Sequence, residues 1–195
     1  MKIENWLEGH WALILGSSSG FGAEVSIKLS EYGVNIIGVH LDRKGTMKNV
    51  EDIVAKIKSN GVKTEFFNIN AADETKRKEC LDSALKLIGS SEKKIKILLH
   101  SLAFGSLKPY VSSDSEKNVT QKNMDMTLDV MANSLVYWAQ DVHSRNLFST
   151  KARIYAMTSA GSRKIWPTYG PVSAAKCALE SHIRQLAVEL APSGI

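Results

Sequence analysis

The stretch Leu15-Gly16-Ser17-Ser18-Ser19-Gly20-Phe21-Gly22 decides the fold. It follows an apolar run that predicts a strand, and it precedes a stretch whose spacing predicts a helix. Glycines let the backbone turn tightly and approach a ligand closely, and a helix N-terminus offers unpaired N–H groups to an anion. The spacing is Gly-x3-Gly-x-Gly, which differs from the Gly-x-Gly-x2-Gly of many dinucleotide-binding folds. The loop therefore predicts a pyrophosphate site, with a simple tight turn as the alternative.

The rest of the chain repeats the same alternation of apolar runs and amphipathic stretches. Strands are predicted over residues 11–15, 34–39, 62–68, 95–100 and 153–157, and helices over residues 22–32, 48–59, 74–88, 124–145 and 172–190. Strands that alternate with helices indicate right-handed βαβ crossovers and a parallel sheet. The predicted fold is a Rossmann-like, doubly wound α/β sheet with three α/β/α layers.

The domain organisation follows from the same pattern. The chain has no repeats and no linker, so residues 1–195 are predicted to form a single NAD(P)-binding domain. The ending Pro192-Ser193-Gly194-Ile195 is a usual exit from a helix into another strand. We therefore expect a domain that lacks its C-terminal strands.

Composition excludes several function classes. The chain is 44% hydrophobic and 23% charged, as in ordinary globular domains. Its apolar runs are shorter than the ~18 residues that span a bilayer, and the N-terminal Met1-Lys2-Ile3-Glu4-Asn5 does not resemble a signal peptide. We expect a cytoplasmic protein with no membrane partner.

Cysteines and basic residues argue against metal and nucleic-acid sites. Only Cys80 and Cys177 occur, without paired spacing, so we expect neither a disulfide framework nor a metal site. The net charge is +5, and its densest cluster, Lys93, Lys94 and Lys96, is too short to indicate a nucleic-acid partner.

The end of the second predicted strand bears on the cofactor. An acid at this place typically binds the adenosine ribose of NAD, whereas an arginine favours the phosphate of NADP. His40 stands where the acid is expected, Asp42 comes two residues later, and Arg43 and Lys44 follow. The pattern favours NADPH and leaves NADH as the alternative.

A tyrosine and a lysine stand seven residues apart in Tyr169-Gly170-Pro171-Val172-Ser173-Ala174-Ala175-Lys176. This spacing is close to two helical turns, so both side chains can share one face of a helix. A phenol can donate a proton, and a nearby ammonium stabilises the phenolate that remains. The pair therefore predicts a catalytic site, although Tyr and Lys at helical spacing also occur as plain surface residues.

Together these motifs resemble the short-chain dehydrogenases/reductases over essentially the whole chain. Asn70-Ala71 stands where that family usually has an Asp-Val that contacts adenine, and Ser159 and Lys176 match its active-site serine and lysine. The resemblance implies a catalytic set of Tyr169, Lys176 and Ser159. The cofactor contacts that it implies are Gly16, Ser18, Ser19, Gly20, Phe21, Gly22, His40, Arg43, Asn70, Ala71, Ser101, Leu102, Ala103 and Lys176.

Two departures make the chain similar to the enoyl-acyl carrier protein reductases of bacterial fatty acid synthesis. The family's usual tyrosine position, four residues before the lysine, holds Val172, and Tyr169 lies one turn earlier. The fourth strand ends in His100-Ser101 where most members have Asn-Asn-Ala-Gly, and Met131 replaces the usual asparagine. Unlike the best-known enoyl reductases, which have a second tyrosine ten residues before the first, the chain has a serine there.

The resemblance implies reduction of an enoyl thioester, carried by acyl carrier protein or coenzyme A, in fatty acid biosynthesis. The Tyr169 hydroxyl would donate to the thioester oxygen, Lys176 would hold the nicotinamide ribose, and Ser159 would add a polar contact. It also implies a homotetramer built through residues 123–145 and 172–190.

Alternatives for the function and for single residues stay open. The same residues also fit a carbonyl or alcohol oxidoreductase acting on a small-molecule ketone or alcohol, or an inactive nucleotide-binding scaffold. Ser159 could instead cap a turn, and His100 is interpreted as a core histidine rather than a catalytic one. Asn133 is expected to face away from the site.

Overall fold

The central sheet consists of five parallel strands in the computed structural model, which describes residues 6–195. The strands are β1 (Trp11–Leu15), β2 (Asn35–His40), β3 (Thr64–Asn68), β4 (Ile95–His100) and β5 (Phe148–Ala156). Their order is β3-β2-β1-β4-β5, so the strand order reverses at β1, between β2 and β4. The predicted doubly wound parallel sheet is confirmed. The N-terminal residues on which the signal-peptide argument rests, 1–5, lie outside the described residues.

Within residues 6–195, six α-helices connect and cover the strands. They are α1 (Gly20–Glu31), α2 (Met47–Ser59), α3 (Glu74–Ile88), α4 (Gln121–Leu128), α5 (Ser134–Ser144) and α6 (Gly170–Leu190). The bounds of α2 and α3 agree with the predicted ones to within one residue, whereas α1 and α6 each begin two residues earlier than predicted. Both early starts lie in glycine-containing segments, where an apolar pattern gives no signal.

Alternating side chains of β1 reach both faces of the sheet. Leu13 and Leu15 pack in a core with α3, α5 and α6, whereas Ala12 and Ile14 pack in a second core with α1 and α2. All four side chains are fully buried. A central parallel strand buried on both faces is the pattern of a three-layer α/β/α domain, as predicted.

The stretch predicted as helical over residues 124–145 is helical from residue 121 to residue 144, but it is not α-helical throughout. Between α4 and α5 the chain forms a π turn, Asp129–Asn133, within which Val130, Met131 and Ala132 are buried. The hydroxyl of Ser134 donates to the carbonyl of Val130 at 2.8 Å. A π turn adds one residue without breaking the apolar pattern, so periodicity cannot reveal it.

The predicted start of β5 at residue 153 is also wrong, because the strand begins at Phe148. The pairing of β4 with β5 shifts register between Ile95 and Ile97, and Lys151 has a positive φ of 56°. This bulge adds polar and exposed residues between Phe148 and Ala152, which interrupts the strand's alternating pattern.

Residues 6–195 contain neither a helix that could span a membrane nor a side-chain cluster that could hold a metal ion. Within residues 6–195, no helix is both long and apolar enough to cross a bilayer. The same residues bring together no group of three or more His, Cys, Asp or Glu side chains that could hold a metal ion.

Candidate active site

The glycine loop lies at the carboxyl end of β1, next to the end of β4. Gly16 has a φ of +93°, and a Cβ at this position would lie 2.5 Å from the carbonyl oxygen of Ser101. A Cβ on Gly22 would collide with the carbonyl of Gly16. Both positions therefore require glycine, and the loop passes close to its neighbours before α1 begins.

A cavity of about 270 Å³ opens beside this loop, across the carboxyl ends of β1 to β4. We call it the nucleotide cavity, because crevices at such a switch point are where doubly wound folds bind ligands. It is lined by Gly16, Ser18, Ser19, Gly20, Phe21, Val39, His40, Leu41, Ile69, Asn70, Ala71, Ser101, Leu102, Ala103, Phe104 and Val130. Eleven of the fourteen proposed cofactor residues are on this list.

The remaining three proposed cofactor residues lie elsewhere. Gly22 is buried in the first turn of α1, where it allows close packing and does not line the cavity. Arg43 is exposed beyond the cavity wall, and Lys176 lines a neighbouring cavity. Sequence reasoning missed five lining residues, Val39, Leu41, Ile69, Phe104 and Val130. Four of these five lie in or next to predicted strand or motif residues. The fifth, Val130, lies in the π turn, which the sequence did not predict.

His40 and Asp42 form a pair at the edge of the nucleotide cavity. His40 is buried, and its Nδ1 lies 3.0 Å from the carboxylate of Asp42. Burial alone would raise the pKa of Asp42, but hydrogen bonds from Ser18, Thr46 and His40 hold it below its usual range. His40 occupies the position where the sequence analysis expected an acid, and Asp42, two residues later, contacts it.

A second cavity of about 340 Å³ continues from the first. We call it the catalytic cavity. It is lined by Phe21, Ser101, Leu102, Ala103, Gly105, Leu107, Met131, Met157, Thr158, Ser159, Tyr169, Val172 and Lys176. The two cavities share Phe21 and the segment 101–103. The three predicted catalytic residues therefore lie together, next to the nucleotide cavity.

Tyr169 is held by the loop that precedes α6. The helix begins at Gly170 with Tyr169 as its N-cap, and the carbonyl of Tyr169 accepts from the backbone N–H of Ser173 at 2.8 Å. The Tyr169 and Lys176 side chains both line the catalytic cavity, as their spacing predicted. The Tyr169 hydroxyl lies 3.1 Å from the hydroxyl of Ser159, and its ring meets Trp166 edge-on at 5.3 Å between centroids. These side-chain contacts orient the phenol.

Ser159 caps a turn and also lines the catalytic cavity. Its hydroxyl oxygen accepts a hydrogen bond from the backbone N–H of Gly161 at 3.1 Å, which caps a short 3-10 turn. Because that bond uses a lone pair, the single hydroxyl proton is left for Tyr169 or for a ligand. Capping and contact with the site are therefore compatible.

Lys176 is buried at the junction of three elements. Its ammonium donates to the carbonyl of Met157 at 2.7 Å and to the carbonyl of Leu102 at 3.1 Å. Burial lowers the pKa of Lys176 to about 8. An ammonium has three N–H donors, so one remains beyond these two bonds.

His100 is a core residue, as interpreted from the sequence. Its Nε2 lies 3.0 Å from the hydroxyl of Ser134, which itself donates to Val130, so His100 donates to Ser134. Nδ1 is then a bare acceptor, and it has no hydrogen-bond partner within residues 6–195. Burial and the nearby charge of Lys176 lower the pKa of His100 to about 3, so the ring is neutral.

The structure places Asn133 away from the site, as predicted, and puts Met131 at the position where the family usually has an asparagine. Met131 is buried and lines the catalytic cavity. The side-chain oxygen of Asn133 lies 3.2 Å from Nε2 of His182 on α6, outside the residues that line either cavity.

The chain also matches a known family model over most of its length. A family model described as enoyl-(acyl carrier protein) reductase matches residues 16–195. The chain therefore belongs to the short-chain dehydrogenase/reductase family, which comprises oxidoreductases that bind NAD(P).

The similar proteins include different reductases. A chloroplastic NADPH-dependent aldehyde reductase-like protein of Arabidopsis thaliana is 26% identical, over 97% of this chain and 70% of that protein. A 1-cyclohexenylcarbonyl-CoA reductase of Streptomyces collinus is 25% identical, over 94% of this chain and 60% of that protein.

Two solved structures share the fold. A short-chain dehydrogenase from Burkholderia cenocepacia in complex with NADP has a TM-score of 0.81 and 23% identity, over 97% of this chain and 71% of that one. A carveol dehydrogenase from Mycobacterium avium in complex with NAD has a TM-score of 0.76 and 20% identity, over 96% of this chain and 68% of that one.

The lowered pKa of Lys176 predicts a pH dependence of stability. Its folded pKa is about 8, against an ordinary value of 10.5. Between these values the unfolded chain keeps a proton that the folded protein has released, so the free energy of unfolding rises with pH. We expect the difference in this free energy between the wild type and Lys176→Met to increase from pH 8 to pH 10 in urea denaturation. Subtracting the variant's free energy of unfolding removes the contribution of the other titrating groups. A difference that stays constant between pH 8 and pH 10 would contradict the prediction.

Proposed function

We propose that the protein reduces the α,β double bond of an enoyl thioester, carried by acyl carrier protein or coenzyme A, in fatty acid biosynthesis. The observation that carries the proposal is the position of the Tyr169 hydroxyl in the catalytic cavity, 3.1 Å from Ser159. The family's ordinary tyrosine position holds Val172, which is buried and apolar. The family model's description and the Streptomyces relative, a reductase of an enoyl-type CoA thioester, support this choice.

The displacement of the phenol matches the shape of such a substrate. In a ketone the oxygen is bonded to the carbon that accepts the hydride. In an enoyl thioester the acceptor is the β-carbon, and the oxygen lies further away across the conjugated system. A phenol that enters from the loop before α6, rather than from its first turn, suits the more distant oxygen.

The nucleotide cavity fits an NAD(P) cofactor. Gly20 has a φ of +52°, and a Cβ built there would meet no atom within 4 Å beyond its chain neighbours and its own helix, so the main chain is open to a close ligand. The N-terminus of α1 at Gly20 can receive a phosphate. When bound, the reduced cofactor supplies the hydride. Ser18, Ser19 and Gly20 would hold its phosphates, and Asn70-Ala71 its adenine.

The side chains in the catalytic cavity stabilise charge on the substrate. The Tyr169 hydroxyl donates to the thioester oxygen, where negative charge develops as the double bond is reduced. Ser159 donates in turn to the Tyr169 oxygen, which favours phenolate character. The Lys176 ammonium, buried beside them, adds positive potential and a donor for the nicotinamide ribose.

A carbonyl reductase is the second candidate. The contact between the Ser159 and Tyr169 hydroxyls favours it, because a serine and a tyrosine that converge on one oxygen also suit a ketone or aldehyde. The Arabidopsis relative is named as an aldehyde reductase-like protein. NADPH is the favoured cofactor under either candidate.

The partners belong to the same proposal. An acidic acyl carrier protein would complement the net charge of +5. Val188 on α6 is 72% exposed, which is consistent with a homotetramer built through α4, α5 and α6. No nucleic-acid or membrane partner is proposed.

Removal of the phenol hydroxyl should slow the chemistry and leave cofactor binding intact. We expect Tyr169→Phe to lower kcat with crotonyl-CoA and NADPH roughly 100-fold, as for loss of an oxyanion donor. The dissociation constant of NADPH should change less than twofold. Tyr155→Phe, an exposed tyrosine of β5, is the matched control. Unchanged turnover in Tyr169→Phe would reject the role of the tyrosine.

A substrate panel separates the two candidates. NADPH oxidation by the wild type should be faster with crotonyl-CoA than with any member of a panel of ketones and aldehydes, measured as kcat/KM. The reverse order would replace enoyl reduction by carbonyl reduction, with the same residues acting on a different oxygen.

Arg43 tests the cofactor preference. It is exposed, two residues after Leu41, which lines the nucleotide cavity, and its guanidinium could reach the 2′-phosphate of a bound NADPH. We expect Arg43→Ala to raise KM for NADPH about tenfold, as for the loss of one charge-assisted bond, and KM for NADH hardly at all. Lys58→Ala, at the far end of α2, is the control. Equal effects on both cofactors would remove the preference for NADPH.

A further inference from the structure

The indole of Trp138 bonds to a wall of the nucleotide cavity from a distant helix. Trp138 lies on α5 and is fully buried. Its Nε1–H donates to the carbonyl oxygen of Ala71 at 2.8 Å, between residues that are 67 positions apart in sequence. Ala71 lines the nucleotide cavity. A side chain of the core thus holds the main chain of the site.

The segment that contains Ala71 is a turn between β3 and α3. The side-chain oxygen of Asn70 accepts from the backbone N–H of Ala72 at 3.0 Å, and its carbonyl accepts from Asp73. The backbone N–H of Ile69 donates to the carbonyl of His40 at 2.8 Å. These bonds shape the turn and fix its first residue, whereas the bond from Trp138 fixes it to the helical layer.

The shape of the turn matters because its side chains are small or short. Ala71 offers only a methyl group and its main chain to the cavity, so recognition of a ligand there depends on where the backbone lies. If the Ala71 carbonyl lost its donor, it would either shift towards another donor or remain unsatisfied, and both outcomes cost free energy. A phenylalanine would fill the same core without supplying a donor.

The same helix is tied to a second lining residue of the nucleotide cavity. At the start of α5, Ser134 accepts from His100 and donates to the carbonyl of Val130 in the π turn. Val130 lines the nucleotide cavity. One turn after Ser134, Trp138 reaches the Ala71 turn, so α5 has polar bonds to two parts of the wall.

We infer that Trp138 is a positioning residue for the nucleotide. Through the Ala71 carbonyl it holds the turn where the adenine half of the cofactor binds, and it does not touch the reacting atoms. The inference rests on the proposed binding of an NAD(P) cofactor and goes beyond it, because it assigns a residue of the protein core to cofactor affinity.

The sharpest test removes the N–H while keeping the shape. Replacement of the Trp138 indole by benzothiophene, with the non-natural amino acid benzothienylalanine, puts sulfur in place of the N–H. We expect the dissociation constants of NADPH and ADP-ribose to rise about tenfold, whereas kcat at saturating NADPH stays within twofold. Trp138→Phe should give a similar loss of affinity together with a lower Tm.

The control is Val142→Ala, which shortens a fully buried side chain of the same helix that has no hydrogen-bonding group. It should lower Tm and leave both dissociation constants unchanged. The inference is overturned if benzothiophene leaves them unchanged, or if Val142→Ala weakens binding as much as the loss of the N–H. Failure of the wild type to bind NADPH or ADP-ribose would instead refute the proposed cofactor, and with it this role of Trp138.

Discussion

The buried ammonium of Lys176 is the interaction on which the site depends. It joins α6 to the carbonyl of Met157, just after β5, and to the carbonyl of Leu102, just after β4. A buried charge is tolerated only where donors and acceptors replace water, so these three elements must meet at one place. Leu102 borders both cavities. The lysine therefore stabilises the surface along which cofactor and substrate would meet, and its depressed pKa is the sign of the burial.

The tyrosine is positioned by a different means. The segment before α6 carries Thr168 at a φ of 63°, an uncommon value for a β-branched residue. A Cβ on Gly161 would collide with the Tyr169 ring, and Trp166 meets that ring edge-on. The phenol is thus held by packing in a loop, while the ammonium is held by a helix and two carbonyls.

The sequence predicted the layers and most of the site because those features have a local signal. Apolar runs that alternate with helices indicate parallel strands, and a glycine loop after a strand indicates a candidate phosphate site. The π turn at Asp129–Asn133 has no such signal, since it inserts a residue without breaking the apolar pattern. The bulge at Lys151 hides the first half of β5, since it interrupts the strand's alternating pattern. The bond from Trp138 to Ala71 could not be predicted either, because it joins residues that only the folded chain brings together. The motif at the end of β2 singled out Arg43 as a cofactor residue. It did not predict that Arg43 is exposed outside the cavity lining, because that depends on the path of the chain after β2.

The π turn also limits how protons can move in the proposed reaction. It brings Met131, which has no proton to give, to the catalytic cavity at the position where the family usually has an asparagine. Within residues 6–195, four hydroxyls line this cavity: that of Thr158 donates to Glu180, those of Ser159 and Tyr169 bond to each other, and that of Ser101 belongs to the residue directly after β4. His100 is neutral and already donates to Ser134, so it is not a proton source. Among the described residues that line the cavity, Ser101, Ser159 and Lys176 are therefore the groups that could return a proton to Tyr169. The proposed reduction of a double bond needs one proton after the hydride, and Tyr169 would supply it from the loop before α6 rather than from α5.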